Sequence, residues 1–163
     1  MKVSSDGVQD GKILDKYGKH GDAFSNCGIP NLSIPFTVTD APAETVSFAI
    51  LLEDKDAIPV CGFSWIHWVA ANITTTDVKE NASILQPDFV QGCNSWYGSF
   101  GREGAFGYGG MTPPDAPHEY ELHVFALDCR LEIFDGFFYN ELYKQMQGHV
   151  LEHAILKGVY KSR

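Results

Sequence analysis

Residues 46–73 read VSFAILLEDKDAIPVCGFSWIHWVAANI, and this stretch decides between a helical chain and one built from sheets. Val46–Glu53 is an apolar run of strand length, introduced by the turn-rich Asp40-Ala-Pro-Ala-Glu-Thr45. Phe63–Ile73 is rich in aromatic and β-branched residues and too apolar to keep one face in water. Working outward, Tyr120–Leu127 is a third such run, and Leu32–Val38 is a fourth, with Pro35 marking an edge position or a bulge. One segment has helical spacing. From Tyr139, the residues Leu142, Tyr143, Met146, Val150, Ala154 and Ile155 recur at three- and four-residue steps, which predicts a helix capped by Asp135 or Asn140 and stopped at Gly158. Gly148 inside it costs roughly 1 kcal/mol against Ala. Gly158–Lys161 is a candidate last strand. Strands first and one helix late, with no βαβ alternation, predict a mainly β fold: an antiparallel sandwich with a peripheral helix. The connection from Gln86 to Gly110 is expected to be an ordered loop on that scaffold.

The 163 residues suit a single domain over 1–163, since a chain of about 150 residues buries roughly 70% of its unfolded surface. Twelve basic residues against 21 acidic ones leave a net charge of −9, which argues against nucleic acid and anionic membranes as principal partners. No run of 18 apolar residues is present, so no membrane span is predicted. The polar N-terminus MKVSSDGVQDGKILDKYGKHG lacks a signal-peptide core, and a cytoplasmic location is expected. Cys27, Cys61, Cys93 and Cys129 lie far apart without a C-x-x-C pair and are expected as free thiols.

Three groups of residues carry candidate chemistry. Asp54 and Asp56 end the first strand before Pro59; they are either a solvated turn or a source of one carboxylate aimed into a pocket. In Trp65-Ile-His-Trp68, strand alternation places His67 with Trp65 and Val69, where a histidine must find a hydrogen-bond partner. The loop Gly107-Tyr-Gly-Gly-Met-Thr-Pro-Pro-Asp-Ala-Pro-His118 precedes Tyr120. Pro113 and Pro114 stiffen it, with a cis bond open there, and Gly107, Gly109 and Gly110 permit positive φ and close backbone approach to a ligand. It fits neither a Walker loop nor a dinucleotide fingerprint. His20 lies in a polar, flexible segment, and His123 faces away from Tyr120. His149 and His153 form an i, i+4 pair on the predicted helix without the H-E-x-x-H pattern, so no metal site is expected.

In order along the chain, these segments resemble the phosphatidylethanolamine-binding proteins, particularly the compact bacterial and archaeal branch that is similar to Raf kinase inhibitor proteins. The family's D-P-D-A-P corresponds to Asp54-Lys-Asp-Ala-Ile-Pro59, with Lys55 replacing the first proline and Ile58 inserted. H-W-V-x-x-N-I-P corresponds to His67–Thr74, and Q-G-x-N-S to Gln91–Ser95. Y-G-G-P-x-P-P-x-x-H-x-Y corresponds to Tyr108–Tyr120, with Met111 in place of a proline and one extra residue before His118. M-x-G-H-V-L corresponds to Met146–Leu151. The resemblance spans about Pro30 to Tyr160. It implies a Greek-key β-sandwich of two sheets with one or two peripheral helices. It also implies a small anion pocket formed by Asp54, Asp56, His67, Gly109, Gly110, Pro113, His118 and Tyr120.

The ligand implied is a phosphate-bearing small molecule or lipid head group, such as phosphoethanolamine, without a cofactor. A kinase or protease partner and a homodimer are implied as further options. His67 and His118 would donate to phosphate oxygens, an Asp would fix a ring tautomer, and Gly109–Gly110 N–H groups would add donors. The competing expectation is a hydrolase using the Asp/His pair as acid–base machinery. Residues Tyr97–Phe106 lengthen one connection, where Arg102 is expected in solvent.

Overall fold

The computed structural model describes residues 1–85 and 88–163 and is built mainly of strands, with a few short helices. The elements are β1 (Lys2–Ser4), β2 (Val8–Gln9), β3 (Lys12–Ile13), β4 (Phe36–Thr39), β5 (Ser47–Asp54), α1 (Ile58–Cys61) and β6 (Trp65–Ile73). They continue as β7 (Asp77–Val78), α2 (Ala82–Leu85), β8 (Val90–Gln91), α3 (Tyr97–Ala105), β9 (His118–Leu127), α4 (Tyr139–Gln145) and β10 (Val150–Tyr160). One sheet has the order β2-β3-β10-β9-β5-β6-β8, and a smaller one has the order β1-β4-β7. β5 lies between β9 and β6, antiparallel to both. The expected all-antiparallel arrangement does not hold throughout, because β3 runs parallel to β10.

β5 is covered on both faces, which is why its sequence is an unbroken apolar run rather than an alternation. On the inner side, Ile50 and Leu52 of β5, Trp68 of β6 and Leu122 of β9 pack with Phe36 and Val38 of β4. On the outer side, Ala49, Leu51 and Val69 lie in one cluster with Phe137, Leu142 and Met146, which come from α4 and its flanks. Each fully buried Leu, Ile or Phe side chain contributes about 1.5–3 kcal/mol.

The helix predicted from Tyr139 to Ile155 ends at Gln145, and Val150–Tyr160 is a strand paired along its length with β9. Two periods overlapped in the sequence. Val150, Ala154 and Ile155 fall at helical steps, but Glu152, Ala154, Leu156, Gly158 and Tyr160 are the more buried residues of an alternating strand. Gly148 turns the chain between the two with φ of 83°. The helix cap differs as well. Glu141 accepts from the Phe138 N–H at 2.8 Å, while Asp135 accepts from the Gln91 N–H. The N-terminal segment is integrated rather than flexible: Ile13 and Tyr17 are buried, and the His20 ring stacks on Tyr160 at 5.6 Å. The predicted loop from Gln86 begins outside the described residues, and Tyr97–Ala105 is helical, with a break at Gly101. Arg102 is exposed, as expected, and its guanidinium also donates to the Gly136 carbonyl at 3.3 Å.

Candidate functional site

The register of the three central strands sets Asp54 opposite both Trp65 and Tyr120, so their side chains meet at one end of the sheet. A cavity of about 180 Å³ opens there, and His67, His118 and Pro113 also line it. His67 arrives through a bulge. Leu52 pairs with Trp68 but Glu53 with Ile66, so β6 carries one extra residue at position 67. The bulge turns His67 to the cavity with Trp65, while its predicted face-mate Val69 packs on the opposite side of the sheet.

Each ring has defined partners. His67 Nδ1 lies 2.7 Å from the Gly109 carbonyl, and the Gly109 N–H donates back to the His67 carbonyl at 2.8 Å. A carbonyl only accepts, so Nδ1 carries the hydrogen. Burial outweighs the favourable carbonyls and lowers the ring's pKa to about 4, leaving it neutral at pH 7. His118 Nδ1 meets Asp54 Oδ2 at 2.7 Å, and its Nε2 meets Asp115 Oδ1 at 2.9 Å. Burial alone would lower the His118 pKa, but the two carboxylates raise it above the usual histidine value. Asp54 Oδ1 also accepts from the Ala57 N–H at 3.1 Å, which fixes the carboxylate at the start of the turn into α1.

Two donors in this wall make no hydrogen bond of ordinary geometry among the described residues. Tyr120 Oη and Trp65 Nε1 are buried without a hydrogen bond among the described residues. Burial, then the charge of the nearby Asp54 carboxylate and its pull on the O–H, push the Tyr120 phenol well up, so it stays a donor on the Asp54 side of the cavity. An orphaned buried donor costs about 1–3 kcal/mol, which a bound acceptor would recover.

Of the residues singled out in sequence, Asp54, His67, Pro113, His118 and Tyr120 line the cavity. Asp56 does not. It is exposed, and its carboxylate accepts from the Glu119 N–H at 2.9 Å, pinning the start of β9. Gly109 and Gly110 stand behind the wall, with their N–H groups committed to the carbonyls of His67 and Pro30. Their lack of a side chain serves packing rather than a ligand. A Cβ on Gly109 would lie 2.5 Å from the Trp96 ring, and one on Gly110 would lie 2.4 Å from the Tyr17 carbonyl oxygen. Both proline bonds at 113 and 114 are trans. Trp65, Trp96 and Asp115 were not singled out as site residues. Asp115 had one available signal, a carboxylate three residues before His118 in the extended loop.

The histidines set aside in sequence lie elsewhere. His123 Nε2 is 3.2 Å from Glu53 and 3.1 Å from Glu121, and its Nδ1 is 3.0 Å from His153 Nε2. Lys55 and Lys157 bond Glu121, and Lys55 also pairs with Glu53. His149 pairs with Asp128 at 2.8 Å, so the i, i+4 pair does not lie on one helix face.

The protein-family model described as phosphatidylethanolamine-binding protein matches residues 4–161. The Bacillus subtilis (strain 168) protein YxkA is 43% identical over 153 residues, covering 89% of this chain and 91% of YxkA. A protein of Chlamydia muridarum is 33% identical, covering 89% and 93%. Among solved structures, CT736 of Chlamydia trachomatis, described as a homologue of that family, aligns with a TM-score of 0.81 at 30% identity, over 99% of this chain and 97% of its own. Escherichia coli YbcL, described as a member of the mammalian family, aligns at 0.79 and 26% identity, over 99% and 98%.

Proposed function

We propose, from the premise that the chain belongs to the phosphatidylethanolamine-binding protein family, that its cavity is a non-catalytic site for the phosphate of a small ligand or of a phosphorylated segment. The observation that carries this is that Tyr120 and Trp65, whose Oη and Nε1 are buried without a hydrogen bond of ordinary geometry among the described residues, line the same cavity as His118. The Asp115 carboxylate already supplies an oxyanion to His118 Nε2, and 59% of that side chain is exposed. A phosphate oxygen would take its place. The donors differ from those expected in sequence, because the Gly109 and Gly110 N–H groups are used within the fold.

Binding is favoured over hydrolysis because both nitrogens of His118 are engaged by carboxylates, which leaves neither free to take a proton from water or a substrate. A regulator of a kinase or protease would seat the partner's phosphoryl group in the same cavity. Calorimetry with inorganic phosphate and phosphoethanolamine tests the reading. Saturable binding that is lost in His118→Ala, without release of phosphate from phosphomonoesters, is expected. Turnover abolished by His118→Ala would overturn the non-catalytic assignment.

A further inference from the structure

His67 presents the cavity with an acceptor rather than a donor. Its Nδ1–H is spent on the Gly109 carbonyl at 2.7 Å, and the ring lines the cavity, so the lone pair of Nε2 is what remains for a ligand. A bare oxyanion oxygen placed there would meet another lone pair. The groups facing His67 do not correct this. Asp54 comes from β5, His118 and Tyr120 from β9, and the Gly109 and Gly110 carbonyls from the loop behind it. Trp96 closes one side edge-on at 5.3 Å, and Cys61 of α1 lines the rim. Burial and the His118 charge outweigh Asp54 and the carbonyls, so the ring titrates at about 4. A phosphoryl group releases its second proton at about pH 6, so a proton shared between the two rests on the phosphate by roughly 100-fold.

The charge inventory points the same way. Asp54 and Asp115 are negative, His118 is positive and His67 is neutral. Lys19 is held by the Pro113 carbonyl and does not line the cavity. A ligand that displaces Asp115 therefore trades one negative charge for its own, and a second negative charge would be uncompensated.

We propose that the cavity selects an oxyanion that brings its own proton: a singly protonated phosphomonoester, in preference to a phosphodiester or a sulfate ester. This rests on the phosphate-site reading above and names the ligand class for it. His67 is then the specificity-determining residue, accepting from the P–OH, while Tyr120, Trp65 and His118 donate to the other oxygens.

Calorimetry at pH 5 with methyl phosphate, dimethyl phosphate and methyl sulfate compares ions that each carry one negative charge, since methyl phosphate is then mostly its monoanion. Only methyl phosphate has an acidic hydroxyl. It should bind about tenfold more tightly, the worth of one satisfied buried hydrogen bond. Between pH 5 and 8 its affinity should fall by about 100-fold as the monoanion is depleted. Dimethyl phosphate should weaken only as His118 loses its charge. In His67→Gln, whose amide can donate, the three ions should bind within about twofold of one another. Equal affinities for the three ions on the unaltered chain would overturn the inference and leave the phosphate site standing. Tighter binding of dimethyl phosphate would overturn it in favour of a diester ligand. No binding of methyl phosphate would overturn the phosphate-site reading itself.

Discussion

Two clusters of histidine and carboxylate lie one residue apart on the same strands and face opposite ways. Asp54, His118 and Tyr120 point to the cavity, while Glu53, Glu121 and His123 point to the outer face of the sheet. Their compositions are similar, but the hydrogen-bond accounting differs. In the outer cluster Lys55 and Lys157 answer the carboxylates, His153 answers His123, and the rings of His153 and Phe125 stack at 4.4 Å. Among the described residues, no lysine lines the inner cavity, two donors make no hydrogen bond of ordinary geometry, and His67 keeps a nitrogen uncommitted. A satisfied polar network holds a fold together, whereas an incomplete one in a concave wall marks where a ligand finishes the count.

Substitutions can break that contrast. His118→Ala should lower phosphomonoester affinity by about 10- to 100-fold, the loss of one charge-assisted hydrogen bond, read by calorimetry. It should also destabilise the fold by several kcal/mol, because Asp54 is left buried without its partner. Tyr120→Phe should weaken binding by about tenfold yet leave the melting temperature nearly unchanged, since the hydroxyl removed makes no hydrogen bond of ordinary geometry among the described residues. A marked drop in melting temperature would mean that the hydroxyl is bonded after all. Asp115→Asn should tighten binding by about threefold, because an exposed ion pair competes only weakly with the ligand. Glu53→Gln should leave binding within about twofold while costing about 1 kcal/mol of stability, the worth of its ordinary hydrogen bonds.

The two regions should also divide the pH dependence of stability. Glu53 and Glu121 are held at about 2, Glu53 chiefly by its bond to His123 and Glu121 by its bonds to Lys55 and Lys157. Their contribution is present above about pH 4.5 and lost as pH falls towards 2. The raised His118 value acts in the opposite direction. Its contribution is full below about pH 6.5 and lost as pH rises through the folded value. Denaturant unfolding across pH should therefore lose part of its acid flank in Glu53→Gln, with the Glu121 share remaining, and its alkaline flank in His118→Gln.

The central strands were legible because burial on both faces leaves a largely apolar record at β5 and β6 and in the Val124–Leu127 half of β9. Residues 150–160 were not, because their apolar spacing satisfies a helical period locally and only pairing with β9 decides for a strand. Asp54, His67, His118 and Tyr120, distant in sequence, come together at one cavity. The roles of Asp56, Gly109 and Gly110 were not legible, since the backbone groups that claim them come from residues distant in sequence. The bulge at His67 was hidden for the same reason: an extra residue in β6 exists only relative to β5.

The most direct test of the contrast is the side-chain nitrogen spectrum of the six histidines during titration with methyl phosphate at pH 6. The His67 and His118 ring signals should shift together and saturate, while those of His123 and His153 stay in place. Shifts at His123 and His153 with His67 and His118 unmoved would contradict the account.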